Sequence, residues 1–383
     1  MANSVDVTKA VATGAAGVNE DGSDVKLTST VEETDKKCPN CTATMVFDPK
    51  SGKLKCPFCG TEKDIKKEGE RFVARELDFA SVEKDRTLCD WGTQTKTVEC
   101  KSCGAKTVYD ANQISNVCPY CGSNQVIEEE DKNVMAPGGV IPFSLDSKQA
   151  AEKFQAWLGR KFYCPTKAKK GAYPSAFKGV YVPYWTYDAL AESTYTGEYG
   201  IDKKVKDKDG NERTETDWYN TSGFYETEID DFLICASTQQ RESMMRGLEP
   251  FDTKKTEEYK PEYLAGFSAT RYTLSVQDGW KKAKSRIDSQ IRVEINNKIQ
   301  LENNADSVRN VDVSTDYSNQ TYKYLLFPVW ISAFSFNGKL YQFVVNGQTG
   351  KVSGESPVDK LKVAITVILI IAIIAAIFYF SNR

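Results

Sequence analysis

"GVYVPYWTYDA" occupies residues 179–189, and "YLLFPVWISAF" occupies residues 324–334. The words VPYW (182–185) and FPVW (327–330) hold equivalent places, each after a long amphipathic helix and a loop. Upstream of the first word, "GGVIPFSL" (138–145) leads into "DSKQAAEKFQAWLGRKF". There Ala150, Ala151, Phe154, Trp157, Leu158 and Phe162 recur at three- and four-residue steps, and Asp146 or Ser147 can cap the helix. Upstream of the second word, "FSATRYTLSV" (267–276) leads into a helix with Val276, Trp280, Ala283, Ile287, Ile291 and Ile295 on one face. After FPVW, Asn337-Gly338 marks a hairpin whose return strand is "KLYQFVVN". Residues 137–357 therefore read as a duplicated α+β body, two related units of a helix on antiparallel strands.

Between the copies, residues 193–229 alternate in polarity and turn at Asp209-Gly210, which predicts an inserted hairpin with a charged tip. "DFLICAS" (231–237) reads as a further strand, with Cys235 as a small buried hydrophobe.

Eight of the 11 cysteines fall into CxxC pairs. "CPNC" (38–41) and "CPFC" (56–59) are separated by 14 residues that read as strand, Ser51-Gly52 turn, strand. "CKSC" (100–103) and "CPYC" (118–121) repeat the same spacing. Two CxxC turns joined by a hairpin bring four thiolates to one tetrahedral ion, the pattern of a zinc ribbon. Cys38, Cys41, Cys56 and Cys59 would hold one zinc ion, and Cys100, Cys103, Cys118 and Cys121 a second. Rubredoxin-like iron is the rival metal. Four thiolates close the coordination shell and leave no corner for a reacting water, so both ions are structural. The ribbons span residues 36–68 and 89–130, joined by a charged spacer at 69–88 and preceded by a disordered tail at 1–35. "EEED" (128–131) marks the linker to the body. Cys89, beside Trp91, reads as a structural thiol rather than a spare ligand, and Cys164 is unpaired with no function assigned.

The chain has no histidine, which excludes His-based nucleophilic catalysis and His-ligated zinc. "NGQTGKVSG" (346–354) fails the phosphate-loop rule, because its glycines are too close and Val352 follows Lys351. Asp188, Glu192 and Glu226 are carboxylates without a visible constellation and read as solvated charge. No enzyme is expected. The net charge is −3, so no overall field recruits nucleic acid. The first ribbon has eight Lys against four Asp and Glu, the second three against six. With a formal −2 for each zinc–tetrathiolate, the balances become about +2 and −5. Only the first could touch phosphate, through lysines 50, 53, 55, 63, 66 and 67.

"LKVAITVILIIAIIAAIFYF" (361–380) is long and apolar enough for a transmembrane helix. Only "SNR" follows, so a tail-anchored, single-pass protein of the cell membrane is expected. Lys360 and Lys362 before the span, and thiolates that suit a reducing compartment, place the body in the cytoplasm. The resulting fold class is multidomain α+β: two N-terminal zinc ribbons, a β-rich duplicated body and one C-terminal span.

The ribbons, "DWG" (90–92), "APGGVIPF" (136–143), "VPYWTYDA", "TGEYG", "RGLEPF" (246–251), "YKPEYLAGF" (259–267) and "FPVW…VNGQTGKVSG" together resemble a bacterial family of membrane-anchored double-zinc-ribbon proteins. The resemblance covers roughly residues 36–357. Members are labelled as transcription-factor-B-type zinc-ribbon proteins or with a name borrowed from the primosomal replication-restart helicase. No Walker lysine motif is present here to support a motor. Similar proteins accompany SPFH-domain and phage-shock-type proteins in envelope-stress systems. The resemblance implies a membrane scaffold and assigns no catalytic residues; with the anchor, the closed zinc sites and no catalytic constellation, a scaffold that docks protein partners and has no small-molecule substrate is expected. A tethered nucleic-acid-binding protein is the alternative.

Overall fold

The computed structural model describes residues 37–65, 72–81, 88–89, 95–100, 106–110, 126–129, 134–135, 137–172, 174, 177–206, 212–238 and 241–381. The first cysteine block forms β1 (Val46–Asp48), β2 (Lys53–Lys55) and β3 (Glu62–Lys63), an antiparallel sheet in that order. Short strands follow: β4 (Leu77–Asp78), β5 (Leu88–Cys89), β6 (Thr95–Cys100), β7 (Lys106–Asp110), β8 (Val126–Glu129), β9 (Val134–Met135) and β10 (Gly139–Val140). The body adds α1 (Ser147–Arg160), α2 (Thr166–Gly171), β11 (Lys178–Lys206), β12 (Glu212–Cys235), α3 (Glu242–Arg246), β13 (Ser268–Thr270), α4 (Val276–Asn303), β14 (Ser307–Phe336), β15 (Lys339–Asn346) and β16 (Val352–Gly354). Helix α5 (Lys360–Ser381) comes last.

Local signals set the helix ends. A reciprocal capping box starts α1: Gln149 N donates to Asp146 Oδ1 at 2.8 Å, and Asp146 N donates to Gln149 Oε1 at 2.9 Å. Ser275 caps α4, accepting from Asp278 N, and Asn304 ends it in the left-handed region at φ 46°. Along α4, Val276, Trp280, Ala283, Ile287, Ile291, Ile295 and Ile299 are all buried. Each isoleucine contributes about 1.5–3 kcal/mol through burial. On α1, Ala150, Phe154 and Leu158 are buried as the periodicity predicts, but Phe162 lies beyond the helix and is 68% exposed.

The two copies meet in one antiparallel strand pair. Val182 pairs with Phe327, Tyr181 with Pro328, and Pro183 with Leu326. Exchanging the strands leaves this register unchanged, so a local two-fold axis runs through the Val182–Phe327 pair. The same exchange relates the flanks. β10 runs parallel to β14, with Gly139 beside Leu325, and β13 runs parallel to β11, with Ser268 beside Val180. Trp330 Nε1 donates to Leu145 O at 2.9 Å, just before the cap of α1. Trp185 Nε1 donates to Leu274 O at the same distance, just before the cap of α4. Phe143 packs on Trp330 with ring centroids 5.0 Å apart, and Tyr272 on Trp185 at 5.1 Å. The two units are thus interlocked: each short entry strand and each helix start is held by the central strand of the other copy.

Both helices share a core cluster with Trp185 and Trp330, which lie on one sheet face. Met244, Met245, Leu248 and Phe251 fill a second cluster with Val182 and Phe327. Strands β11 and β14 are far longer than their apolar words. β11 continues past an irregularity at Tyr187/Ala189 and pairs through its distal half, with β14 as far as Gly200 and with β12 as far as Lys206. The expected hairpin at 193–229 forms, with Ser193 opposite Tyr225 and Lys206 opposite Glu212, as an extension of core strands whose turn at Asp209-Gly210 lies outside the described residues. "DFLIC" is the end of β12 rather than a separate strand. Asp231, at φ 49°, bends the chain there without ending the pairing. The hairpin at Asn337-Gly338 has both residues at positive φ (50° and 75°), as a tight two-residue turn requires.

The cysteine blocks are tied to this body. Phe47 N donates to Ala265 O at 2.9 Å, and the Phe47 ring packs edge-on against Tyr263. From the second block, β7 pairs with β13, and β4 from the spacer pairs with β14. Among the described residues, one helix is long and apolar enough to cross a membrane, Lys360–Phe380, and it is exposed along its length.

Candidate metal centre

Cys38, Cys41, Cys56 and Cys59 bring their sulfurs within 4.8 Å of one another. Cys38 Sγ lies 3.5 Å from Cys59 Sγ, and Cys41 Sγ lies 3.4 Å from Cys56 Sγ. A tetrahedral zinc ion with bonds of about 2.3 Å sets sulfur–sulfur edges of about 3.8 Å, so the donor set fits such an ion. Cys38 and Cys56 are buried, whereas Cys41 and Cys59 face outward.

Two matching turns build the cluster. Cys38 N donates to Ala43 O, and Cys56 N donates to Thr61 O, both at 2.8 Å. Thr42 N closes on Cys38 O and Gly60 N on Cys56 O, with Thr42 and Gly60 both left-handed (φ 58° and 75°). The second turn uses glycine there, while the first forces a β-branched residue into the same conformation.

The thiols differ in acidity. The Thr61 hydroxyl, 3.1 Å from Cys59 Sγ, and the Thr61 backbone N–H hold the Cys59 thiol down to about 6. Burial opposes ionisation of Cys38, but the N–H groups of Cys41 and Asn40 prevail and lower it. The Ala43 N–H favours the Cys41 thiolate, yet the neighbouring Cys56 and Cys59 sulfurs outweigh it and push Cys41 up to about 12. Four crowded sulfurs resist carrying four negative charges without a cation among them.

In the second block, Cys100 ends β6, while Cys103, Cys118 and Cys121 lie outside the described residues. The pair Glu99–Lys106 brackets Cys100 and Cys103 as Lys37–Thr44 brackets Cys38 and Cys41. Among the described residues there is one four-cysteine cluster. The second ion expected from sequence rests on residues beyond them.

Asp188, Asp230 and Asp231 form another group of acidic side chains. Its cation is already present as a side chain. Lys323, 7% exposed, reaches Asp231 at 2.9 Å, Asp188 at 3.0 Å and Glu76 at 3.1 Å. Burial works to discharge Lys323, but Asp231 and Asp188 prevail and hold its ammonium above the usual value. Burial pushes the Asp188 carboxyl up, against the pull of the Asp231 N–H and Lys323. Sequence gave no sign of this knot, because nothing in "TYKYLLF" marks its lysine as buried. Glu192 and Glu226 sit opposite each other on β11 and β12, and both are exposed.

A cavity of about 940 Å³ opens between the first ribbon and the body. Lys50, Lys255 and Lys260 line it, but pair with Asp146, Asp252 and Glu258. Outside it, Lys53 and Lys55 pair with Asp64 and Glu62. The lysines expected to meet phosphate are thus already matched at these positions. Cys164 and Cys235 stand apart from the cluster, and burial raises both thiols, Cys235 to about 12.

The chain is similar to the Bacillus subtilis (strain 168) protein YdjG, itself uncharacterized, at 27% identity over 330 residues, covering 86% of this chain and 91% of that one. It is also similar to transcription factor S of two archaea. That of Methanothermococcus thermolithotrophicus is 35% identical over 68 residues, 18% of this chain and 63% of the factor. That of Methanocaldococcus jannaschii is 35% identical over 78 residues, 19% of this chain and 70% of the factor. No protein-family model matches the chain, and no solved structure matches it.

Proposed function

We propose that this chain is a membrane-anchored, zinc-binding adaptor whose ribbons and β-rich body present protein-docking surfaces at the cytoplasmic face. The observation that carries the reading is α5, an apolar helix exposed on every side whose start is fastened to a folded body. An exposed apolar helix of 21 residues spans about 30 Å, the thickness of a hydrocarbon core. Lys360 and Lys362 at its head favour a cytoplasmic body. The Cys38–Cys59 cluster is a closed structural zinc site in this reading, and the second cysteine block repeats it. Neither ion does chemistry; each stabilises a module too small to fold on its own core. Envelope-stress proteins of the SPFH and phage-shock type are the proposed partner class. Two measurements test the reading. Metal analysis of the full chain should find two zinc ions, falling by one in Cys59→Ser. Crosslinking in native membrane, followed by detergent purification, should recover a protein partner at stoichiometric level; its absence would sink the adaptor.

The similarity to archaeal transcription factor S favours a second reading, nucleic-acid binding through the ribbons. The ion pairs around Lys50, Lys53 and Lys55 weigh against it. A gel shift of the full chain over a salt series separates the readings, since phosphate contacts give steep salt dependence.

A further inference from the structure

We propose that the end of α1, the loop at 161–165 and α2 form a seat for the headgroups of anionic phospholipids. The inference rests on α5 being a membrane span.

Three observations converge on this surface. From Lys153 to Lys178 the chain carries seven Lys or Arg and no Asp or Glu, although acidic residues outnumber basic ones overall. Arg160, Lys161, Lys167 and Lys170 are exposed. Two adjacent aromatic residues, Phe162 (68% exposed) and Tyr163 (41%), stand among them, their rings packed edge-on against each other. The same loop is fastened to the head of the span. Asp359 N donates to Tyr163 O at 2.8 Å, and Lys362 Nζ reaches Cys164 O at 3.0 Å and Phe162 O at 3.3 Å.

These contacts fix the height of the loop. Lys362 lies in the first turn of α5, so Phe162 and Tyr163 sit at the level where the apolar segment begins. At that level aromatic rings partition into the interface, and ammonium groups meet lipid phosphates within a Debye length. The acidic residues that flank the stretch in sequence are Glu152 and Asp188, and Asp359 is brought to the loop by its backbone contact with Tyr163. Asp359 is engaged at the start of α5, where its Oδ1 accepts from Leu361 N. Tyr379 and Phe380 provide exposed aromatics at the other end of the span. The near end lacks them on the helix itself, and the loop supplies them from the body.

The test uses the full chain in nanodiscs of phosphatidylcholine, with and without phosphatidylglycerol, read by hydrogen–deuterium exchange. Exchange across 160–171 should slow in the anionic discs, and added salt should reverse the effect. Replacing Lys161, Lys167 and Lys170 together by Gln should reduce that protection about fivefold or more. The matching Lys→Arg variant should retain it, which controls for folding. Phe162→Ser with Tyr163→Ser should reduce protection in both lipids. Equal exchange in both lipids, with α5 protected in each, would overturn the seat and leave the anchor standing. Unprotected α5 in both would overturn the anchor, and the seat with it.

Discussion

The two copies of the body share a frame and differ in what the frame supports. On one side α1 ends after 14 residues and hands over to a basic loop against the head of α5. On the other, α4 runs for 28 residues beneath the extended strands. The dyad makes the divergence measurable position by position. Lys178 pairs with Ile331, and Lys323 pairs with Thr186, so the two lysines are mates. One closes the basic stretch, and the other is buried among Glu76, Asp188 and Asp231. A duplicated fold conserves the contacts that hold its halves together and leaves the remaining positions free to take up different work.

The largest expected difference is at this lysine pair. Lys323→Met removes a buried ammonium and strands the half-buried Asp188 and Asp231 carboxylates, and should cost about 3 kcal/mol, whereas Lys178→Met should cost about 0.5 kcal/mol or less. Urea denaturation of both variants checks this, and equal costs would show that the dyad mates are not distinct. The pH dependence has a definite sign. The Asp188 carboxyl is raised in the folded state, so the native protein holds its proton more tightly than the unfolded chain does. Its contribution to stability therefore declines as pH rises through the carboxylate range. Without Lys323 the shift grows, so the deficit of Lys323→Met should be largest near neutrality and shrink on acidification.

The indole pair tests where the halves agree. Trp185→Phe and Trp330→Phe each deprive a backbone carbonyl of its donor and should each cost about 1–3 kcal/mol, alike within error. Calorimetry showing one harmless and the other severe would break the symmetry. A subtler asymmetry lies in the helices, where Gly279 is the mate of Ala150. A Cβ on Gly279 would lie 2.2 Å from the hydroxyl of Tyr187, which donates to Val276 O. Gly279→Ala should therefore cost about 1–3 kcal/mol despite better helix propensity. The smallest effect contrasts the two cysteine turns. Thr42→Gly should stabilise the zinc-loaded protein by about 1 kcal/mol, because glycine adopts the left-handed conformation without strain. A loss in thermal melting would show that Thr42 does something its backbone does not reveal.

Features encoded within a few residues were legible in the sequence. The helix cap at Asp146 or Ser147, the buried stripe of α4, the Asn337-Gly338 turn and the Cys38–Cys59 hairpin each follow from short-range spacing. Phe162 misled because a periodic pattern does not announce where its helix stops. The lengths of β11 and β14 misled because their distal halves are polar on one face, and alternation cannot tell an insertion from a continuing strand. Lys323 was invisible because its partners come from three segments, one of them, Glu76, 247 residues away in sequence. The dyad was half visible: VPYW and FPVW marked a repeat, but no pattern says that β10 crosses to β14 and β13 to β11.

That exchange of entry strands bears on how the body is made. A half folded by itself would leave its central strand without the short partner that the other half provides, and its helix start without its tryptophan. The exchanged contacts join residues 185 apart (Leu145 and Trp330) and 89 apart (Trp185 and Leu274), and their loop-closure entropy is paid before the contacts form. The halves are therefore expected to fold in a single slow, cooperative event. Cutting the chain between them should yield two fragments that acquire structure only when mixed.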